Sequence, residues 1–255
     1  MVFSIHTFEL TGYFETKGKP SRKNPISLVK GIEFAESGNS YAKTVRLKIN
    51  PSKLLGGDDL ELWETSDENI DRLIGKLEKL IHTHFNSKLN DFTLSRCDFT
   101  VNIDVESPKR VSAYIKVLHN SGKVTGFSPK FDSQDYDSGR INKDNSFDLV
   151  HKDGVEFTAY DKWNQTNRKK GKGVLRAEVR LKKRKAIHKY TKETDTAGQI
   201  KELSRQCEKI FMKTFQRIVP PGNYYTMKEA VKRVAVGVSK QKQRDKMLKI
   251  HELRS

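Results

Sequence analysis

The sequence predicts an α+β protein: an antiparallel sheet with helices packed on one face, an open, charged working face on the other, and basic helices at the C-terminal end. Three observations carry this. Several segments alternate strictly between apolar and charged residues, the signature of strands with one face buried and one in water. Amphipathic helical stripes lie between and after them. The positive charge is confined to one end of the chain: residues 161–255 hold 27 Lys+Arg against 9 Asp+Glu, whereas 1–160 hold 22 against 23.

The first strands are predicted at 3–10 (FSIHTFEL) and 42–50 (AKTVRLKIN), with Val45, Leu47 and Ile49 on one side of the second. The Gly-, Lys- and Pro-containing stretch around 16–26 reads as a loop. A helix follows with Ser66 as N-cap and Ile70, Leu73, Ile74, Leu77, Leu80 and Ile81 as its apolar stripe. His82 and His84 end it. Two residues apart on a helix they point about 200° apart and cannot chelate one ion, so His84 is expected to continue the stripe and His82 to face out beside Glu78.

The strand 92–105 puts Cys97, Phe99, Val101, Ile103 and Val105 on one side and Arg96, Asp98, Thr100, Asn102 and Asp104 on the other. Pro108 opens a helix through RVSAYIKVLH, and the polar run 119–146 reads as a long loop or irregular hairpin. Strands are then expected near 147–151, 154–163 and 173–183. Glu156, Thr158, Tyr160 and Lys162 share one parity in the second of these, and Arg176, Glu178, Arg180 and Lys182 share one in the third. Beyond residue 184 the pattern is helical. Ile200, Leu203, Cys207, Ile210 and Phe211 mark a helix ending before Pro220-Pro221, and Thr226 with Glu229 forms a capping-box signature for another. The expected organisation is a catalytic domain, 1–185, followed by a basic helical segment, 186–255, for DNA contact or packing.

The formal net charge of +17 and its asymmetry point to a polyanionic partner, with nucleic acid favoured over a membrane. Phosphate contacts are expected from NRKKGKG (Arg168, Lys169, Lys170) and KKRK (Lys182, Lys183, Arg184, Lys185). Two cysteines give neither a disulfide framework nor a zinc spacing, no apolar run is long enough to span a bilayer, and the N-terminus lacks a signal-peptide pattern. The expected location is therefore the cytoplasm. Without a Walker A motif the chain does not hydrolyse ATP by that route, so a separate helicase is expected to unwind the DNA. The stretch 132–144 has the wrong ligand spacing for a calcium loop.

Should the strands lie together, Asp98, Glu178 and Glu156 would meet Tyr160 on a partly basic face. Carboxylates suit Mg²⁺ or Mn²⁺, and a tyrosine can attack phosphorus to form a covalent intermediate. Salt bridges on a solvated sheet face would look similar in sequence.

The segments SRCDFTVNID, FTAYDKWNQ and LRAEVRLKK, in that order, resemble the signature segments of rolling-circle replication initiators of the Rep_trans type, HUH-like nicking endonucleases related to filamentous-phage replication nicking proteins. The resemblance spans about residues 40–185 and departs from the family in lacking a histidine pair. It implies Tyr160 as nucleophile and Asp98 and Glu178 as ligands of Mg²⁺ or Mn²⁺. It also implies Lys162 as active-site base or electrostatic stabiliser, and Arg96 and Arg176 holding the carboxylates or the DNA backbone. Glu156 is the candidate third ligand through its parity with Tyr160, a water being the alternative, and Arg180 joins the DNA-facing set. The implied reaction nicks and joins single-stranded DNA at an origin, single-stranded or in a hairpin, leaving a 5′-phosphotyrosine and a free 3′-hydroxyl primer. Two readings compete with replication initiation: a conjugative relaxase with the same chemistry, and a non-catalytic DNA-binding protein on the same fold. An RNA-binding aromatic platform fits poorly, because the working face carries little besides Tyr160 to stack bases. Tyr190, Tyr224 and Tyr225 are the rival nucleophiles.

Overall fold

The computed structural model describes residues 2–15, 22–39, 41–58, 60–120, 124–130 and 146–220, with side chains from residue 26 onward in the second span. The expectations placed on 132–144, Tyr224-Tyr225, the Thr226 cap and the terminal basic helix lie outside these residues.

Among the described residues nine strands form one open antiparallel sheet in the order β2-β3-β4-β1-β5-β9-β8-β7-β6. They are β1 (Phe3–Glu15), β2 (Arg22–Val29), β3 (Ile32–Gly38), β4 (Ala42–Ile49), β5 (Phe92–Asp104), β6 (Phe127–Pro129), β7 (Ser146–His151), β8 (Val155–Asp161) and β9 (Val174–Leu181). The helices are α1 (Pro51–Leu54), α2 (Asp67–Phe85), α3 (Pro108–His119), α4 (Lys162–Gln165), α5 (Arg184–Ile187), α6 (Thr196–Arg205) and α7 (Cys207–Ile218). The α+β class and the one-sided helical layer follow the sequence pattern. No described helix is long and apolar enough to cross a membrane.

The apolar parity of each strand makes the core. Cys97, Phe99 and Val101 of β5, Phe157 and Ala159 of β8, and Ala177 and Val179 of β9 are buried. Phe157 meets Phe211 and Phe215 of α7 at ring-centroid distances of 6.4 and 6.0 Å, and Phe3 meets Phe211 at 5.4 Å. Burying a side chain of that size contributes roughly 2–3 kcal/mol. α7 crosses β1, β5 and β9, and α3 lies on β7 and β8. The segment expected to begin at 186 therefore contributes α6 and α7 to the layer over the sheet.

α2 is capped by Ser66, whose side chain accepts from the Asn69 amide, and Ile70, Leu73, Ile74, Leu77 and Ile81 are buried as the stripe predicts. Asp67 and Asp71 tie it to Arg205 and Lys201 of α6 at 2.8 and 2.7 Å. His84 does not continue the stripe: it is exposed, as is His82, and Phe85 takes the core-facing place in the last turn, its ring 5.7 Å from Phe34 and 5.9 Å from Phe92.

Three further differences shape the structure. Residues 22–38, of which 22–26 fall in the stretch read as loop, form the β2–β3 hairpin, whose turn holds Gly31 at φ +91; a Cβ there would lie 2.5 Å from the Leu54 amide nitrogen of α1. The helical run 196–218 is two helices broken at Gln206. Strand β8 stops at Asp161 rather than 163, since the Asp161 carboxylate caps α4 by accepting from the Trp163 and Asn164 amides at 2.9 and 3.3 Å.

Candidate active site

The polar parities of β5, β9 and β8 are brought into register at the centre of the sheet. Asp98 pairs with Arg180, Thr100 with Glu178 and Asn102 with Arg176; on the other side of β9, Arg180 faces Glu156, Glu178 faces Thr158 and Arg176 faces Tyr160. Two slips in the β1–β5 register, at Ile5/Thr7 and Glu9/Leu10, re-aim the neighbouring side chains. The first makes His6 an extra residue between Ile5 and Thr7, and a bulge of this type redirects its side chain.

The Tyr160 hydroxyl donates to Glu178 Oε1 at 2.7 Å. Glu178 Oε2 accepts from Arg180 Nε and Nη2 at 3.0 and 2.6 Å. Arg96 grips Asp98 through both carboxylate oxygens at 2.8 and 2.7 Å and reaches Glu9 at 3.0 Å. Arg180 Nε also lies 3.9 Å from Asp98 Oδ2, so one guanidinium links the two carboxylates. Both are almost fully buried.

Burial pushes the Asp98 carboxyl up to about 6, against the pull of Arg96. Burial acts in the same direction on Glu178, but Arg180 and His6 outweigh it and hold that carboxyl below its ordinary value. Burial and then the Glu178 charge raise the Tyr160 phenol well above its ordinary value, with Arg176 opposing. The resting phenol is thus a hydrogen-bond donor, not a phenolate.

Asp98, Glu178, Tyr160, Arg96, Arg180 and His6 line one cleft of about 620 Å³, which continues past Lys48 and Lys53 to Lys30 at the β2–β3 turn. Three predicted residues stand apart from it. Glu156 shares the face but lies towards its edge, 2.9 Å from Lys182, 3.7 Å from Lys130 and 4.0 Å from Arg180, and those cations lower its carboxyl against the effect of burial. Lys162 opens α4 instead of extending the strand; it is buried, and its Nζ donates to Gln165 Oε1 at 2.8 Å. Arg176 is fully buried, donating to Asn102 Oδ1 at 2.7 Å and to the Leu60 carbonyl at 3.2 Å, with His6 Nε2 at 3.4 Å. Its expected place against a DNA backbone gives way to an internal one, because the segment around Leu60 covers that end of the polar face.

The remaining predicted cations are exposed: Arg168, Lys169 and Lys170 on the loop after α4, and Lys182, Lys183, Arg184 and Lys185 after β9. Lys170 pairs with Asp58 at 2.5 Å. Tyr190 lies across the Lys213 ammonium at 5.4 Å, among α5–α7. His6 and Gln165 are members of the cleft that strand parity did not single out.

The donor chemistry suits a hard divalent cation, since Asp98 and Glu178 offer carboxylate oxygens side by side. Among the described residues, however, no group of three or more His, Cys, Asp or Glu side chains converges on one point, and Arg180 already lies between the pair. Binding such an ion therefore means loosening that guanidinium. A phage family whose model is described as the N-terminal part of a replication-associated protein matches residues 9–197. No curated protein matches the chain.

Proposed function

The chain belongs to the filamentous-phage-type replication-initiator family, and from that premise we propose that it starts rolling-circle DNA replication by nicking one strand with Tyr160. The observation that carries this reading is the Tyr160–Glu178 hydrogen bond inside a cleft that also holds Asp98, Arg96 and Arg180. The Tyr160 oxygen attacks phosphorus of the scissile phosphodiester. Its proton passes to Glu178, the bond from phosphorus to the 3′ oxygen breaks, and that oxygen leaves as a hydroxyl once protonated. The 5′ phosphate remains on the tyrosine, and attack by a 3′-hydroxyl reverses the sequence.

Arg96 and Arg180 oppose the charge that grows on the phosphoryl oxygens, an electrostatic role supported by their presence in the cleft beside Tyr160. Asp98 and Glu178 would hold Mg²⁺ or Mn²⁺, which supplies Lewis acidity towards the phosphate. Lys162 acts on the rim of the site through Gln165, and the exposed cations after α4 and β9 hold the DNA backbone. A helicase is required to separate the strands. The competing reading, a DNA-binding protein without the chemistry, is favoured by one observation: Arg96 and Arg180 already neutralise the carboxylates a metal would need.

The test uses the full chain on a supercoiled plasmid carrying the replicon that encodes it, with Mn²⁺ or Mg²⁺. A protein–DNA adduct on a denaturing gel, lost in Tyr160→Phe and in EDTA, is the expected result. Adduct persisting in Tyr160→Phe moves the nucleophile to another tyrosine. Tight binding with no adduct in the unaltered chain selects the non-catalytic reading.

A further inference from the structure

Trp163 stands three residues beyond Tyr160 on α4, half-buried, and two cations lie over its indole: Arg168 at 5.4 Å and Lys172 at 5.9 Å from the ring centroid. The loop folds to bring them there. Arg168 takes a left-handed φ of 63, its amide donates to the Trp163 carbonyl at 2.8 Å, and Gly171 and Gly173 turn the chain back at φ 77. Lys170 of the same loop is neutralised by Asp58, whereas Arg168, Lys169 and Lys172 have no carboxylate partner among the described residues. The indole Nε1–H donates to the Arg168 carbonyl at 2.8 Å, so the edge of the ring is held while two long cationic side chains lie over its face.

We propose that Trp163 is a stacking platform for a base of single-stranded DNA next to the scissile phosphate, with Arg168, Lys169 and Lys172 taking the adjoining phosphates. This rests on the reading of single-stranded DNA as substrate. An aromatic face ringed by cations is the arrangement that binds single strands without reading sequence: every base has a π face, and the cations follow the backbone. A base entering over the indole displaces the guanidinium and ammonium, which then meet phosphates within reach of the same loop. Asp161, which caps α4 while ending the strand that carries Tyr160, fixes the platform relative to the nucleophile. A duplex offers no free base face, so the platform discriminates against it.

Two tryptophans make the test direct. Trp63 is 7% exposed and its indole N–H is bonded to the Ile5 carbonyl, so fluorescence changes on adding DNA report on Trp163. The full chain carrying Tyr160→Phe, which cannot form the adduct proposed above, is titrated with oligothymidylate and with a duplex of equal length. Expected is quenching by the single strand and little by the duplex. Trp163→Ala should weaken single-strand binding about ten- to hundredfold, and Trp163→Phe should keep affinity within about threefold while abolishing the quench. No quenching of Trp163, equal quenching by duplex, or equal losses in the Phe and Ala variants would overturn the proposal, the last by making the indole N–H merely a pin for the loop. Because binding is read without cleavage, failure here leaves the Tyr160 adduct untouched, and failure of the adduct leaves this result standing.

Discussion

Tyr160 and Glu178 are diagonal neighbours across the β8–β9 pairing, and their side chains close that diagonal with a 2.7 Å hydrogen bond. Glu178 has a second, stronger hold in Arg180, so removing the phenol oxygen does not strand it. Tyr160→Phe should therefore change unfolding free energy by no more than about 1 kcal/mol while eliminating adduct formation. Glu178→Gln keeps a hydrogen-bond acceptor for the phenol but loses the charge; nicking should fall about 10²–10⁴-fold with DNA affinity retained. Denaturant melts alongside adduct gels check both.

Asp98 gives a pH signature of unusual sign. Its carboxyl is raised to about 6 in the folded chain by burial, above its unfolded value, so the folded state binds the extra proton between roughly pH 4 and 6. The contribution of this group is then most favourable below pH 4 and declines as pH rises through 6, the reverse of a carboxylate whose pairing lowers its pKa. In EDTA, the stability of the unaltered chain relative to Asp98→Asn should drop by about 2–3 kcal/mol between pH 4 and pH 7. Urea unfolding of the two chains in parallel measures the difference, which cancels the other titrating groups.

Arg176 separates an internal arginine from a DNA-facing one. Its guanidinium is fully buried and donates to Asn102 Oδ1 and the Leu60 carbonyl; without it Asn102 Oδ1 loses that donor, while the Leu60 carbonyl keeps the Asn102 Nδ2 donor at 2.7 Å. Arg176→Met should cost about 3–5 kcal/mol of stability, seen as a large fall in melting temperature. A phosphate-contacting arginine would instead leave stability alone and lower affinity.

Much of this was legible in the sequence because strand parity has a period of two and β5, β8 and β9 keep it over the residues that matter. Asp98, Tyr160 and Glu178 could be assigned to one face from alternation alone. The register joining them could not, since it depends on pairings between residues 70 to 84 positions apart in β5 and β9. The bulges left a trace: the apolar parity slips between Ile5 and Phe8, and again between Leu94 and Cys97, where β1 and β5 shift register. Reading those slips as bulges would have brought His6 into view. Lys162 was misplaced because alternation continues through it, while the capping carboxylate of Asp161 ends the strand first. Arg176 and Glu156 look alike in sequence to Arg180 and Glu178; only the covering segment near Leu60 and the lysine neighbours at the edge distinguish them.

The cations after β9 offer the last prediction. Lys183, Arg184 and Lys185 are exposed; Lys183 donates to the Lys152 carbonyl at 3.2 Å and Arg184 to His188 at 3.1 Å, neither of which neutralises charge. Lys182, by contrast, is paired with Glu156 and has less charge to offer. If the three unneutralised cations meet phosphates of single-stranded DNA, each releases about 0.7 of a counterion. Replacing all three by Gln should lower the slope of log affinity against log salt by about 2, weaken binding evenly across sequences, and leave the thermal melt nearly unchanged. Replacing Lys182 alone should move the slope much less, because Glu156 already offsets its charge. Oligonucleotide titrations over a salt series distinguish a phosphate clamp from a merely solvated basic turn, for which the slope would not move.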